Sequence, residues 1–100
     1  MITGKQRSYL KGLAQQLEPT VNIGKLGLTS NVVDSIEKNL KANELVKVRI
    51  QDGAALKPKD VCEELAYRLQ AEFVVAIGKV FVLYKPTKDK TKKDKIELPD

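Results

Sequence analysis

Two apolar runs near the end of the chain, Phe73–Ile77 and Val80–Tyr84, are separated only by Gly78-Lys79. A two-residue connection with glycine first suits a type II′ turn, whose twist matches that of paired strands. The runs therefore predict an antiparallel hairpin, and any fold for this chain has to be built around a sheet. Lys85-Pro86 stops the second strand, because proline has no amide to donate to a ladder.

The clearest single strand lies upstream, over Glu44–Ile50. Val46, Val48 and Ile50 alternate with Lys47 and Arg49, so one face is expected to enter a core and the other to be wet and basic. Three stretches repeat with helical spacing. Residues 3–17 place Tyr9, Leu10, Leu13, Ala14 and Leu17 on one stripe behind a Thr3 cap, with Lys5, Arg7 and Lys11 outward, and Pro19 ends the element. Residues 30–43, capped by Thr29 or Ser30, bury Val32, Val33, Ile36 and Leu40. A third helix starts near Pro58, after a loop opened by Gln51-Asp52-Gly53, and turns Val61, Cys62, Leu65, Ala66 and Leu69 inward. A short strand over residues 20–24, with Val21 and Ile23 on one side, completes the order α-β-α-β-α-β-β. That order predicts a compact two-layer α/β domain with a four-stranded mixed sheet. Its two βαβ units would run parallel with right-handed crossovers, and the hairpin would add an antiparallel strand.

Composition narrows the chemistry. At 100 residues and 42% hydrophobic, the chain can bury one core without staples. No apolar run approaches a membrane span, and Met1–Lys5 opens no signal-peptide core, so a cytoplasmic location is expected. Cys62 is the single cysteine, and there is no histidine. An internal disulfide, a Cys/His metal cluster and the commonest general base all go with them. No enzymatic activity, metal or cofactor is expected. Cys62, on an apolar helix face, is expected to be buried and inert. Asp60, Glu63 and Glu64 complement the dipole at the start of the same helix.

The net charge of +5 is unevenly spread. Lys5, Arg7, Lys11 and Lys25 face only Glu18 in the first 31 residues, residues 32–84 cancel, and Lys85–Lys95 is again strongly basic. If the fold brings the two ends together, they form one basic face. Residues 1–87 read as the folded domain and residues 88–100 as a lysine-rich, flexible tail. The usual role of such a tail is solubility or non-specific attraction to polyanions.

Between the first strand and the second helix lies Gly24-Lys25-Leu26-Gly27. Glycines beside a lysine can present successive amides to an anion, and the start of a helix adds its positive dipole end. The motif lacks the third glycine of a dinucleotide site and the spacing of a nucleotide-triphosphate loop, so a bare structural turn is the competing reading. Lys47 and Arg49 could likewise be edge charges that block aggregation or part of a surface that tracks phosphates. Phe73, Phe81 and Tyr84 occupy core-like strand positions, so an aromatic base-stacking platform is not expected.

The blocks V-N-I-G-K-L-G-L-T, I-E-K-N-L-K-A-N-E-L-V-K-V-R-I and V-A-I-G-K-V-F-V-L-Y-K-P, with the opening K-Q-R-S-Y-L-K-G-L-A, resemble the CRM-domain family (chloroplast RNA splicing and ribosome maturation). The resemblance is to its bacterial stand-alone, YhbY-like form. The resemblance covers residues 3–87. It implies a fold similar to the C-terminal domain of the third bacterial translation initiation factor, and an RNA-binding function. Its GxxG loop, likened to that of KH domains, would clamp nucleotide backbone, with Gly24 and Gly27 as the motif glycines and Lys25, beside Leu26, as the basic contact. Lys5, Arg7, Lys11, Lys47 and Arg49 would extend the RNA footprint. Lys85 stands where the family often has arginine, keeping the charge without the bidentate fork. The implied partner is precursor ribosomal RNA or the pre-large-subunit particle, bound by a monomer without turnover. The alternative is a basic module that contacts ribosomal or translation proteins.

Overall fold

The structure, a computed structural model, describes residues 2–86 and 96–99. Residues 87–95, the last residue of the expected domain and much of the tail expected over 88–100, lie outside the described residues. Seven elements follow in the expected order: α1 (Gly4–Gln15), β1 (Val21–Ile23), α2 (Ser30–Asn43), β2 (Leu45–Ile50), α3 (Pro58–Leu69), β3 (Glu72–Ile77) and β4 (Val80–Tyr84). Local chemistry sets their ends. The Thr3 hydroxyl accepts the Gln6 amide while the Gln6 side chain accepts the Thr3 amide, a reciprocal capping box at α1. Thr29, of the two candidate caps, accepts the Val32 amide and starts α2. Pro58 opens α3 at a position where its missing amide costs nothing. Gly78 has φ 61° while Lys79 stays out of the left-handed region, as a type II′ hairpin requires and a type I′ hairpin does not.

The strand order is β1-β2-β4-β3. β1 and β2 pair in parallel across α2, as the βαβ reading requires, but β4 inserts between β2 and β3 and pairs antiparallel with both. The second βαβ unit is therefore split: β3 runs in the direction of β2 with one strand between them.

Both faces of this sheet are covered. Val21, Ile23, Val46, Val48, Ile50, Phe81 and Leu83 meet Ile36 and Leu40 of α2 and Val61, Cys62, Leu65 and Leu69 of α3 on one face. On the other, Leu45, Val74, Val82 and Tyr84 meet Leu10 and Ala14 of α1. The face of β2 expected to be wet is thus dry at Leu45 and half-buried at Lys47, and only Arg49 stays open. Leu10 sits at the centre of the α1 contact. Tyr9, 100° round the helix from it, and Leu17, just past the helix end, are expected in the stripe but are 44% and 42% exposed.

The last described residues return to this second core. Ile96 and Leu98 pack, like Leu13, against this buried cluster, the Ile96 amide donates to Glu44 Oε1 at 2.7 Å, and Gln6 Nε2 donates to the Pro99 carbonyl at 3.0 Å. Glu44 is the left-handed cap of α2 (φ 64°) and is itself buried.

Candidate functional site

β1 and β2 are parallel, so the segments leaving them emerge at the same end of the sheet, and the β3–β4 hairpin turn arrives there too. Three loops therefore converge: Gly24–Gly27, residues 51–57 and Gly78-Lys79. The Gly27 amide donates to the Gly24 carbonyl at 3.0 Å, closing a four-residue turn. Lys25 and Leu26 both keep φ out of the left-handed region, as in a type I turn with glycine last. In that geometry the two central amides point away from the turn. Among the described residues, no acceptor meets the amides of Lys25, Leu26, Ser30 or Asn31. These bare donors lie at the turn and the adjoining first turn of α2, where the helix dipole is positive. Leu26 is 88% exposed, and Lys25 is exposed beside it.

The two glycines differ. Gly27 has φ 74°, a conformation glycine adopts freely and other residues strain to reach. Gly24 has no such φ, and a Cβ placed on it would lie 3.6 Å from Gln51 Oε1, ordinary contact. The fold has room for a side chain at position 24, and glycine leaves that stretch of backbone bare.

The neighbouring loops support the turn. The Lys25 stem lies over Gly53, 3.4 Å from where a Cβ would be, and Leu56 reaches Gly27. The Ile50 amide donates to the Lys79 carbonyl at 2.7 Å, and the Lys79 ammonium pairs with Asp52. Lys79 was not among the sequence candidates. Only the β2–β4 pairing brings it here, and strand order leaves no local trace in the sequence.

The other sequence candidates divide. Arg49 is exposed, directly opposite Asn22 and Val80 in the register. Lys11 and Lys47 flank a groove on the α1 face. The Lys47 ammonium donates to the Ala14 and Leu17 carbonyls at 3.1 and 3.0 Å, closing the C-terminal end of α1. Arg7 Nε donates to the Phe73 carbonyl at 2.9 Å, beside the bulge that shifts the β3 register between Phe73 and Val75. Lys85 Nζ donates to the Leu69 carbonyl at 2.9 Å, capping α3. The structure does not bring Lys85 to the turn: it follows Tyr84, opposite Leu45, about 17 Å along β2 from the turn at ~3.3 Å per residue. Lys5 is exposed in the first turn of α1, whose entry is tied to Glu72 at that same far end. Arg7, Lys47 and Lys85 thus have structural partners, whereas Gly24, Lys25, Leu26, Gly27 and Arg49 form the open group at the loop end.

Cys62 is fully buried, with its Sγ 3.6 Å from the Val82 carbonyl, and burial, reinforced by the Glu63 charge, pushes its thiol up to about 12. No metal-ligating cluster occurs among the described residues.

A mixed sheet between one helix and a helix pair, with bare amides and an exposed lysine at a glycine-bounded turn leading into α2, defines a small α/β domain. Residues 2–85 match the CRS1 / YhbY (CRM) domain, and the chain belongs to that family. It is 36% identical over 99 residues, spanning 99% of this chain and all of the relative, to the Bacillus subtilis (strain 168) protein named "Probable RNA-binding protein YqeI". A Haemophilus influenzae (strain ATCC 51907 / DSM 11121 / KW20 / Rd) protein named "RNA-binding protein" is 35% identical, with 98% of this chain and 95% of that protein aligned. The solution structure of the hypothetical protein SAV1595 from Staphylococcus aureus superposes with a TM-score of 0.77 at 35% identity. That match covers 99% of this chain and 100% of the other.

Proposed function

We propose that this protein binds RNA through phosphate contacts at the Gly24–Gly27 turn and acts, in the cytoplasm, on precursor ribosomal RNA during large-subunit assembly. Family membership and the names of its relatives support RNA as the ligand. The observation that carries the site is the bare turn: a glycine at position 24 that the fold does not need, next to unbonded amides and the exposed Lys25. Backbone amides and a helix N-terminus hold phosphate without reading bases. Arg49, exposed beside the turn, extends the positive charge across the same end of the sheet. The protein works by binding, with no turnover.

The test is titration of a precursor ribosomal RNA fragment over a salt series with the parent, Lys25→Ala and Gly27→Asp. Losing one phosphate contact lowers the slope of log affinity against log salt by about 0.7–0.9, the change expected for Lys25→Ala. Equal binding by all three proteins would remove the turn from the interface. Co-sedimentation with large-subunit precursors that is lost on gentle RNase digestion supports the ribosomal assignment, and retention after digestion points to a protein contact.

A further inference from the structure

α1 crosses the sheet over Leu45, Val82 and Tyr84 and leaves the next row uncovered. Through the register that row runs Ile77 on β3, Val80 on β4, Arg49 on β2 and Asn22 on β1. Residues directly opposite one another share a face, here the face of α1. Ile77 is 62% exposed, Arg49 and Asn22 are exposed, and Val80 is half-buried. At the apolar end Ile77 and Val80, with Val75 and Val82, floor a groove of about 220 Å³ whose sides carry Lys11 and Lys47, and no carboxylate lines it among the described residues. With strands ~4.8 Å apart, the row is about 14 Å long. It ends at Asn22, two residues before Gly24.

An aliphatic floor beside the exposed cations Lys11 and Arg49 matches a ligand that alternates flat apolar rings with phosphates. The groove is smaller than the ~300–1,000 Å³ of a cofactor pocket, which leaves room for one ring. We propose that this row is a nucleobase subsite: a base lies on Ile77 and Val80, Arg49 takes the adjoining phosphate, and the strand continues past Asn22 to the Gly24–Gly27 turn. The subsite rests on the RNA-binding reading above and adds to it a contact with bases, which the turn does not make.

The test uses the parent, Ile77→Asn, Arg49→Gln and Lys25→Ala with a short single-stranded RNA and with the same RNA built from abasic riboses, each over a salt series. Ile77 is exposed, so its substitution leaves folding intact. Ile77→Asn is expected to weaken binding of the intact RNA about fivefold, the size of a small loss of apolar burial. Its salt slope should stay unchanged, and it should not affect abasic RNA. Arg49→Gln is expected to lower the slope by about one phosphate's share. If Ile77→Asn binds intact RNA like the parent, or weakens both RNAs alike, while Lys25→Ala still lowers the slope, the subsite is overturned and the turn survives. If the parent binds neither RNA, both readings fail together. If Ile77→Asn spares RNA but abolishes binding of an acidic ribosomal protein, the row is a protein contact and the subsite is overturned.

Discussion

Gly24 and Gly27 look equivalent in the sequence and are not equivalent in the fold. Gly27 is held at φ 74°, so Gly27→Ala is expected to cost about 1 kcal/mol of stability, read as a lower urea midpoint. Gly24 has neither a left-handed φ nor a steric conflict. Under the proposed phosphate contact, Gly24→Ala is therefore expected to keep the parental midpoint yet weaken RNA binding, because its methyl group would stand between the phosphate and the backbone. Parental affinity in that variant would show that the bare backbone has no role. Cys62 offers a second test at this scale. Its thiol is pushed up to about 12 in the fold, whereas an unfolded thiol titrates near ~8.5. Stability from the neutral thiol is complete below ~8.5 and falls as pH rises toward about 12, since the unfolded state loses its proton first. The parent's urea midpoint should decline above pH ~8.5, and that part of the decline should vanish in Cys62→Ala.

At the scale of elements, helices and strands were legible because capping residues and periodicity act over a few positions. Thr3, Thr29, Pro58 and Gly78-Lys79 each mark a boundary by chemistry local to it. The jobs of Arg7, Lys47 and Lys85 were not legible. Each reaches a carbonyl 16 or more residues away, and a lysine on a strand looks the same whether it faces water or a helix end. Lys47→Met removes two charge-assisted hydrogen bonds at the end of α1 and should cost about 1–2 kcal/mol. In a domain of this size that is a fall in Tm of at least ~4 °C in a thermal melt. Its salt slope for RNA should change less than that of Lys25→Ala, because the Lys47 ammonium is already engaged.

Across the whole molecule, the second core is closed by residues far apart in sequence. Ile96 and Leu98 pack against the buried cluster on the α1 face, as Leu13 does, and the Ile96 amide donates to the buried Glu44 carboxylate. Deleting residues 96–100 uncovers Leu13 and Leu45 and removes that donor. The loss should reach about 2–3 kcal/mol, measured as a lower urea midpoint, while the Lys25 dependence of RNA binding persists. An unchanged midpoint would mean that this return contributes nothing to the fold.

What the sequence determined alone was everything whose cause lies within a few residues: the seven elements and their order, the type II′ hairpin, the capped entry to α2 and the glycine-bounded turn. Its unequal charge and missing histidines also pointed away from catalysis and toward polyanions. The tertiary structure alone decided that β4 lies between β2 and β3, that α1 covers the face expected to be wet, and that Lys79 and Arg49 join the turn while Lys85 lies at the far end. Those outcomes depend on which strand edges pair and which apolar faces meet, and that choice is made by burial summed over the whole chain.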